Sequence, residues 1–109
     1  MPHLRIRAVE SNIVQQLSTA FVDQLQPLMD CPREDFTIEL VATQFFAEGE
    51  KTQAYPFVEV LWFDRGQETQ DQVAKIITDL IKSQYACDDL AVIFTALTPA
   101  TYYDNGEHY

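Results

Sequence analysis

Apolar and polar residues alternate from His3 to Val9, with Leu4, Ile6 and Ala8 set against His3, Arg5 and Arg7, the period-two pattern of a strand with one core face and one charged face. Helical spacing takes over at Ile13, Val14, Leu17, Phe21 and Leu25, with Ser11 or Asn12 as the capping residue and Pro27 as the point where the helix ends or kinks. A turn follows over residues 30–35. Phe36–Phe46 is β-branched and aromatic and reads as a second strand, and Ala47–Tyr55, containing Glu48-Gly49-Glu50, as a polar connection. Phe57–Phe63 is apolar on both faces except for Glu59, which predicts an inner strand buried on both sides. Gln67–Tyr85 carries Val73, Ile76, Ile77, Leu80 and Ile81 on one stripe, opposite Gln70, Asp71, Lys75, Asp79 and Lys82, as an amphipathic helix does. Leu90–Leu97 is the last strand. The final residues contain Pro99, the turn signal Asn105-Gly106, and Tyr102, Tyr103 and Tyr109, large side chains that predict a packed tail rather than a free one.

These six elements fall into two copies of a strand, helix, strand unit. Pro2 and Pro56 lie 54 residues apart, and each heads an apolar-rich strand. Farther along, the offset becomes 56: Phe21 matches Ile77, Leu25 matches Ile81, Cys31 matches Cys87 and Ile38 matches Phe94, as two residues inserted ahead of the second helix would produce. The 109 residues therefore read as a single α+β domain of order β-α-β-β-α-β, with pseudo-repeat halves of about 2–54 and 55–109.

Hydrophobic residues make up 47% of the chain, enough for one small core. A formal net charge of −10 with seven Lys and Arg in all excludes phosphate-backbone binding and does not suit an anionic membrane surface. No apolar run approaches a bilayer span, and no basic segment precedes an apolar stretch at the N-terminus. A cytoplasmic protein with no nucleic-acid or membrane partner is the expectation, and with it free thiols at Cys31 and Cys87. His3 and His108 stand at no metal-ligand spacing and the three glycines form no phosphate loop, so no metal and no cofactor are expected. Glu34-Asp35 and Asp88-Asp89 read as solvated turn charges.

Only Pro2 offers distinctive chemistry. Once Met1 is trimmed, Pro2 becomes a free secondary amine, whereas Pro56 is locked in a peptide bond. Such an amine is a base, and it works near neutral pH only if apolar burial or neighbouring cations depress its pKa. Arg5 and Arg7 follow on the same strand, Arg5 on the order of 10 Å along it.

The segment PFVEVLWFDRG, the helix after it, and VIFTALTPATYYDNGE resemble one subunit of 4-oxalocrotonate tautomerase, a chain that begins with a catalytic proline; Val92, Ile93, Thr95, Gly106 and Glu107 carry the match. MPHLRIRAVE opens a second copy of that unit. Over essentially its full length the chain resembles the fused two-unit members of the tautomerase superfamily, such as macrophage migration inhibitory factor, in a bacterial branch. The resemblance implies a four-stranded sheet with two helices on one face, assembled as a homotrimer. It implies a cofactor-independent keto-enol tautomerase that acts on a small carbonyl or carboxylate substrate with Pro2 as base. Tyr102 falls where a pocket-lining aromatic is expected and can donate a hydrogen bond to an enolate oxygen.

The family's two substrate arginines are not matched, because Asn12 and Ala91 stand near their positions, and Cys31 and Phe94 stand near those of the cytokine's lysine and asparagine. Arg5, Arg7 and Arg33 are the candidate substrate-binding cations in their place. Arg65 is one residue out of register and is expected beside Pro56. These departures keep open a second function, a non-catalytic ligand-binding or regulatory module on the same fold or on a ferredoxin-like fold, which has the same order of elements.

Overall fold

The computed structural model describes residues 1–109. In chain order the elements are β1 (His3–Arg7), α1 (Ser11–Met29), β2 (Thr37–Leu40), β3 (Phe45–Ala47), β4 (Glu50–Thr52), β5 (Phe57–Trp62), α2 (Gln67–Gln84), β6 (Ala91–Ala96), β7 (Tyr103–Asp104) and β8 (Glu107–His108). Four strands form one sheet in the order β2-β1-β5-β6. Its central pair, β1 and β5, is antiparallel, and each of these strands is flanked by a parallel partner reached through a helix. Parallel pairing demands such a crossover, because a short turn cannot return the chain to the same end of the sheet. Both helices cover the same face. There Leu4, Ile6, Val58, Val60 and Trp62 of the sheet meet Leu17, Phe21, Leu25 and Met29 of α1 and Val73, Ile77 and Ile81 of α2, all buried. No helix is long and apolar enough to cross a membrane.

Residues 56 apart occupy matching core positions in the helices, as Leu17 and Val73, Phe21 and Ile77, and Leu25 and Ile81 show. The second strands revert to 54. The Thr37 N–H donates to the Pro2 carbonyl at 3.2 Å and the Ala91 N–H to the Pro56 carbonyl at 3.0 Å, so Ile38 corresponds to Val92 and not to Phe94. The two residues gained before α2 are lost again before β6.

Four local expectations are corrected. Helix α1 runs through Pro27 to Met29, because a proline in the last turn forfeits one backbone bond while Asp30 still donates to the Gln26 carbonyl. Its N-cap is Glu10, which makes no side-chain capping bond, rather than Ser11 or Asn12. The expected strand 36–46 breaks after Leu40, and its far end becomes β3, which pairs with β4 as a hairpin inside the supposed polar connection. Glu48 and Gly49, at φ of 53° and 77°, supply the two left-handed residues that a tight hairpin requires. Finally, β5 is an inner strand but is buried on one face only: Val58, Val60 and Trp62 point to the helices, while Phe57, Glu59 and Leu61 lie half-exposed on a face that no helix covers.

Phe21 is fully buried between sheet and helices. Phe21→Ala is predicted to lower the unfolding free energy by about 3–5 kcal/mol, from lost transfer energy plus the cavity left behind, read as a reduced urea midpoint at constant slope.

Candidate active site at the Pro2 end of the sheet

The antiparallel register sets His3 opposite Leu61, so the residues that leave β5 arrive at the start of β1. Phe63 and Arg65 are thereby delivered to Pro2. Arg65 is fixed there: Nε donates to the Met29 carbonyl at 3.0 Å, Nη1 to the Phe63 carbonyl at 2.7 Å, and the guanidinium lies 5.4 Å from the centre of the Trp62 ring. The expectation that Arg65 stands beside Pro56 is therefore wrong. Pro56 heads β5 and Arg65 follows it, so the length of the strand, roughly 20 Å, separates them.

Pro2 is buried. The amine that ends the chain, on Met1, is held below the ordinary α-amine range, first by burial and then by the Arg65 guanidinium, with Cys31 and Asp35 acting in the opposite direction. Burial pushes the Cys31 thiol up, which keeps it protonated and removes it as a nucleophile. Cys31 and Cys87 are both free thiols. Asp35, read from the sequence as a solvated turn charge, is half-buried at the end of a 3-10 turn and is felt by the terminal amine, by His3 and by Tyr102. An open depression of about 380 Å³, lined by Gln26, Pro27, Asp30, Cys31 and Pro32, borders this end of the sheet.

On the face without helices, His3 Nε2 lies 2.8 Å from the Tyr102 hydroxyl and Nδ1 lies 2.5 Å from Thr37 Oγ1. Phe63, Tyr102 and Tyr109 pack mutually, with ring centres 5.3 to 5.4 Å apart. The tail is closed by a Tyr109 N–H to Tyr102 carbonyl bond of 3.2 Å and by the β7–β8 hairpin, where Asn105 and Gly106 take left-handed conformations. Burial, then Asp104 and Asp35, raise the Tyr102 phenol, so at neutral pH it keeps the proton that a hydrogen-bond donor needs.

Of the sequence-derived candidates, Pro2 and Tyr102 come to this end, and three arginines are engaged elsewhere. Arg5 pairs with Glu39 at 2.6 Å and with Glu59 at 3.4 Å, because the register sets all three in one row across three strands. Arg7 is at the far end of β1, with its guanidinium 5.3 Å from the centre of the Phe57 ring. Arg33 is drawn to Asp23 on α1, at 2.8 Å. His3, Asp35 and Phe63 were missed. Strand alternation puts His3 on the same face as Arg5, but nothing in the sequence signals that the tail returns to meet it. No group of three or more His, Cys, Asp or Glu side chains is arranged to hold a metal.

The sequence profile described as Domain of unknown function (DUF1904) matches residues 1–108. The chain belongs to the DUF1904 family. A DUF1904 domain from Sebaldella termitidis is 35% identical and superposes at a TM-score of 0.93, with 100% of each chain covered. A protein of unknown function from Vibrio cholerae is 49% identical at a TM-score of 0.88, covering 99% of this chain and 87% of that one. The DUF1904 chain also has the fold of the tautomerase superfamily. A fused 4-OT described as an asymmetric trimer superposes at a TM-score of 0.83 with 12% identity, over 97% of this chain and 94% of the other. A macrophage migration inhibitory factor-like protein from Entamoeba histolytica shares the fold, at a TM-score of 0.76 and 12% identity over 99% and 98% of the two chains. No curated protein matches the sequence.

Arg65→Gln removes two charge-assisted bonds and the cation nearest the terminal amine. Unfolding free energy is predicted to fall by about 2–3 kcal/mol in urea titrations. The amine pKa is predicted to rise, because the neutral form loses the cation that favours it; acylation of the N-terminus at fixed pH should slow accordingly.

Proposed function

We propose that this DUF1904 protein is a cofactor-independent keto-enol tautomerase in which Pro2, freed by removal of Met1, is the base. The observation that carries the reading is the head of β1, where Pro2 is buried and the chain-terminal amine feels Arg65, itself held by the Met29 and Phe63 carbonyls, while the Tyr102 hydroxyl meets His3, the next residue along the strand. The amine would move one residue inward, from Met1 to Pro2, and remain at the buried, Arg65-flanked end of the strand. A neutral Pro2 takes a proton from a carbon next to a carbonyl, the Tyr102 hydroxyl donates to the carbonyl oxygen as it gains negative charge, and Pro2 returns the proton to the other end of the enolate. The substrate class is a small carbonyl acid. Arg65 is the cation at this end, with Nε and Nη1 already bound to carbonyls and Nη2 left for an anionic group.

The protein works as a homotrimer in this reading. The uncovered sheet face carries Phe57, Leu61 and Ile93 around a central row of Glu39, Arg5 and Glu59 that pair with one another, and half-exposed apolar side chains set among internally paired charges suit an interface better than open solvent. The related fused 4-OT fold described as a trimer points the same way. A second reading, a non-catalytic ligand-binding module, is favoured by one fact: Arg5, Arg7 and Arg33 are all engaged within the chain and none faces Pro2.

Two measurements decide between them. The untagged protein should show an intact mass lacking Met1 and should ketonise phenylenolpyruvate with turnover that Pro2→Ala reduces by roughly a hundredfold or more, the scale of a lost general base. Turnover indifferent to Pro2→Ala would leave the binding module. Sedimentation equilibrium should return three times the chain mass of 12.5 kDa, and a clean monomer at micromolar concentration would remove the trimer.

A further inference from the structure

The reaction just proposed asks the Tyr102 phenol to offer its proton to a carbonyl oxygen, and an offered proton must be aimed. Tyr102 sits after a short 3-10 turn (Pro99–Thr101), its backbone is tied to Pro99 and Tyr109, and its ring packs on Phe63 and Tyr109, none of which fixes the hydroxyl. The polar atom that meets its hydroxyl is His3 Nε2, at 2.8 Å, and the two ring planes are nearly parallel, 9° apart. His3 in turn meets Thr37 through Nδ1, and the Thr37 backbone is bound to the Pro2 carbonyl. One continuous set of contacts therefore runs from the backbone of the proposed base to the hydroxyl of the proposed donor.

Resting on that reading of the site, we propose that His3 is the positioning residue for Tyr102: its Nε2–H donates to the phenol oxygen when substrate is bound, while the Thr37 hydroxyl donates to Nδ1. A neutral imidazole has one donor and one acceptor nitrogen, while a hydroxyl can donate and accept at once. When no carbonyl is present the Nε2–H still donates to the phenol oxygen and the phenol hydrogen turns elsewhere, so the ring proton stays on Nε2 throughout. A carbonyl oxygen that takes the phenol's hydrogen bond leaves the Tyr102 oxygen as an acceptor, and the Nε2–H fills it. Every donor then points towards the substrate, and the bonds in such a chain polarise one another. Burial, and after it the terminal amine, hold His3 below its usual pKa, which keeps the ring neutral as this arrangement requires. The nitrogen that must carry the proton follows from the partners and is open to measurement. No proton leaves Tyr102 or His3; Pro2 alone carries the transferred proton.

The test combines kinetics with a readout that needs no turnover. In the enol-to-ketone assay, His3→Leu should lower kcat roughly tenfold to a hundredfold with KM little changed, the scale of one lost transition-state donor. His3→Gln, which keeps an N–H at the reach of Nε2, should restore most of the loss. His3→Leu combined with Tyr102→Phe should be no slower than Tyr102→Phe alone, because both act through one hydroxyl. Independently, the ring nitrogens of His3 should respond separately in 15N NMR, Nε2 moving in Tyr102→Phe and Nδ1 in Thr37→Val. Losses that multiply in the double variant, wild-type kcat in His3→Leu, or an Nε2 resonance indifferent to Tyr102→Phe would each overturn the positioning role. If Pro2→Ala abolishes turnover while His3→Leu does not, this inference alone fails. If Pro2→Ala is without effect, or the wild type does not turn over, the proline reading fails and the positioning role falls with it, whatever the spectra show.

Discussion

The antiparallel pairing of β1 with β5 is the constraint on which the rest depends. A parallel arrangement of the same two strands would leave Pro2 beside Pro56 and send Phe63 and Arg65 to the opposite edge of the sheet. Pairing His3 with Leu61 instead brings the exit of one half of the chain to the entrance of the other. Each half thus supplies what the other lacks: the first half brings the proline, and the second brings the cation and the aromatic floor on which the tail can settle.

That exchange also explains why the two ends of the sheet differ although the halves repeat one plan. The two prolines make the same backbone contact, with Thr37 and with Ala91. Arg65 and the tail aromatics gather only at Pro2, whereas Ala8, the polar hairpin and its Lys51 line the hollow at the other end. Ala8 itself is in a left-handed conformation, φ 62°, which costs an alanine about 1 kcal/mol and marks where the first strand must turn sharply into α1. The two halves share one frame, and the segments that connect their elements make the two ends of the sheet unlike. Charge on the uncovered face is handled within the sheet, where Arg5 bridges Glu39 and Glu59 and Thr95 donates to Glu59 at 3.3 Å.

Periodicity made the fold legible. Leu4 and Ile6 announced a one-sided strand, and Val73, Ile77 and Ile81 a helix stripe, because burial of one face imposes a period that survives sequence divergence. The hairpin at Glu48-Gly49 escaped notice because its strands are short, exposed and polar, so no core face stamped a pattern on them. The site was legible only in part. Pro2 stood out by its chemistry and Tyr102 by resemblance, but the placing of Arg65, Asp35 and His3 depends on which strand ends meet, a long-range fact that local spacing does not carry. Arg5 and Arg33 were reasonable candidates as unpaired cations in a sequence, and lost that standing once Glu39, Glu59 and Asp23 were found within reach.

The central claim is that the head of β1 carries a free proline amine tuned to act as a base, and the most direct test is a pH titration of the Pro2 nitrogen by 15N NMR in protein labelled at proline. The account predicts a single titrating proline with a midpoint below about 8, the range of an ordinary α-amine. A Pro2 nitrogen that does not titrate, because it remains in a peptide bond to Met1, or one that titrates above that range, would contradict it.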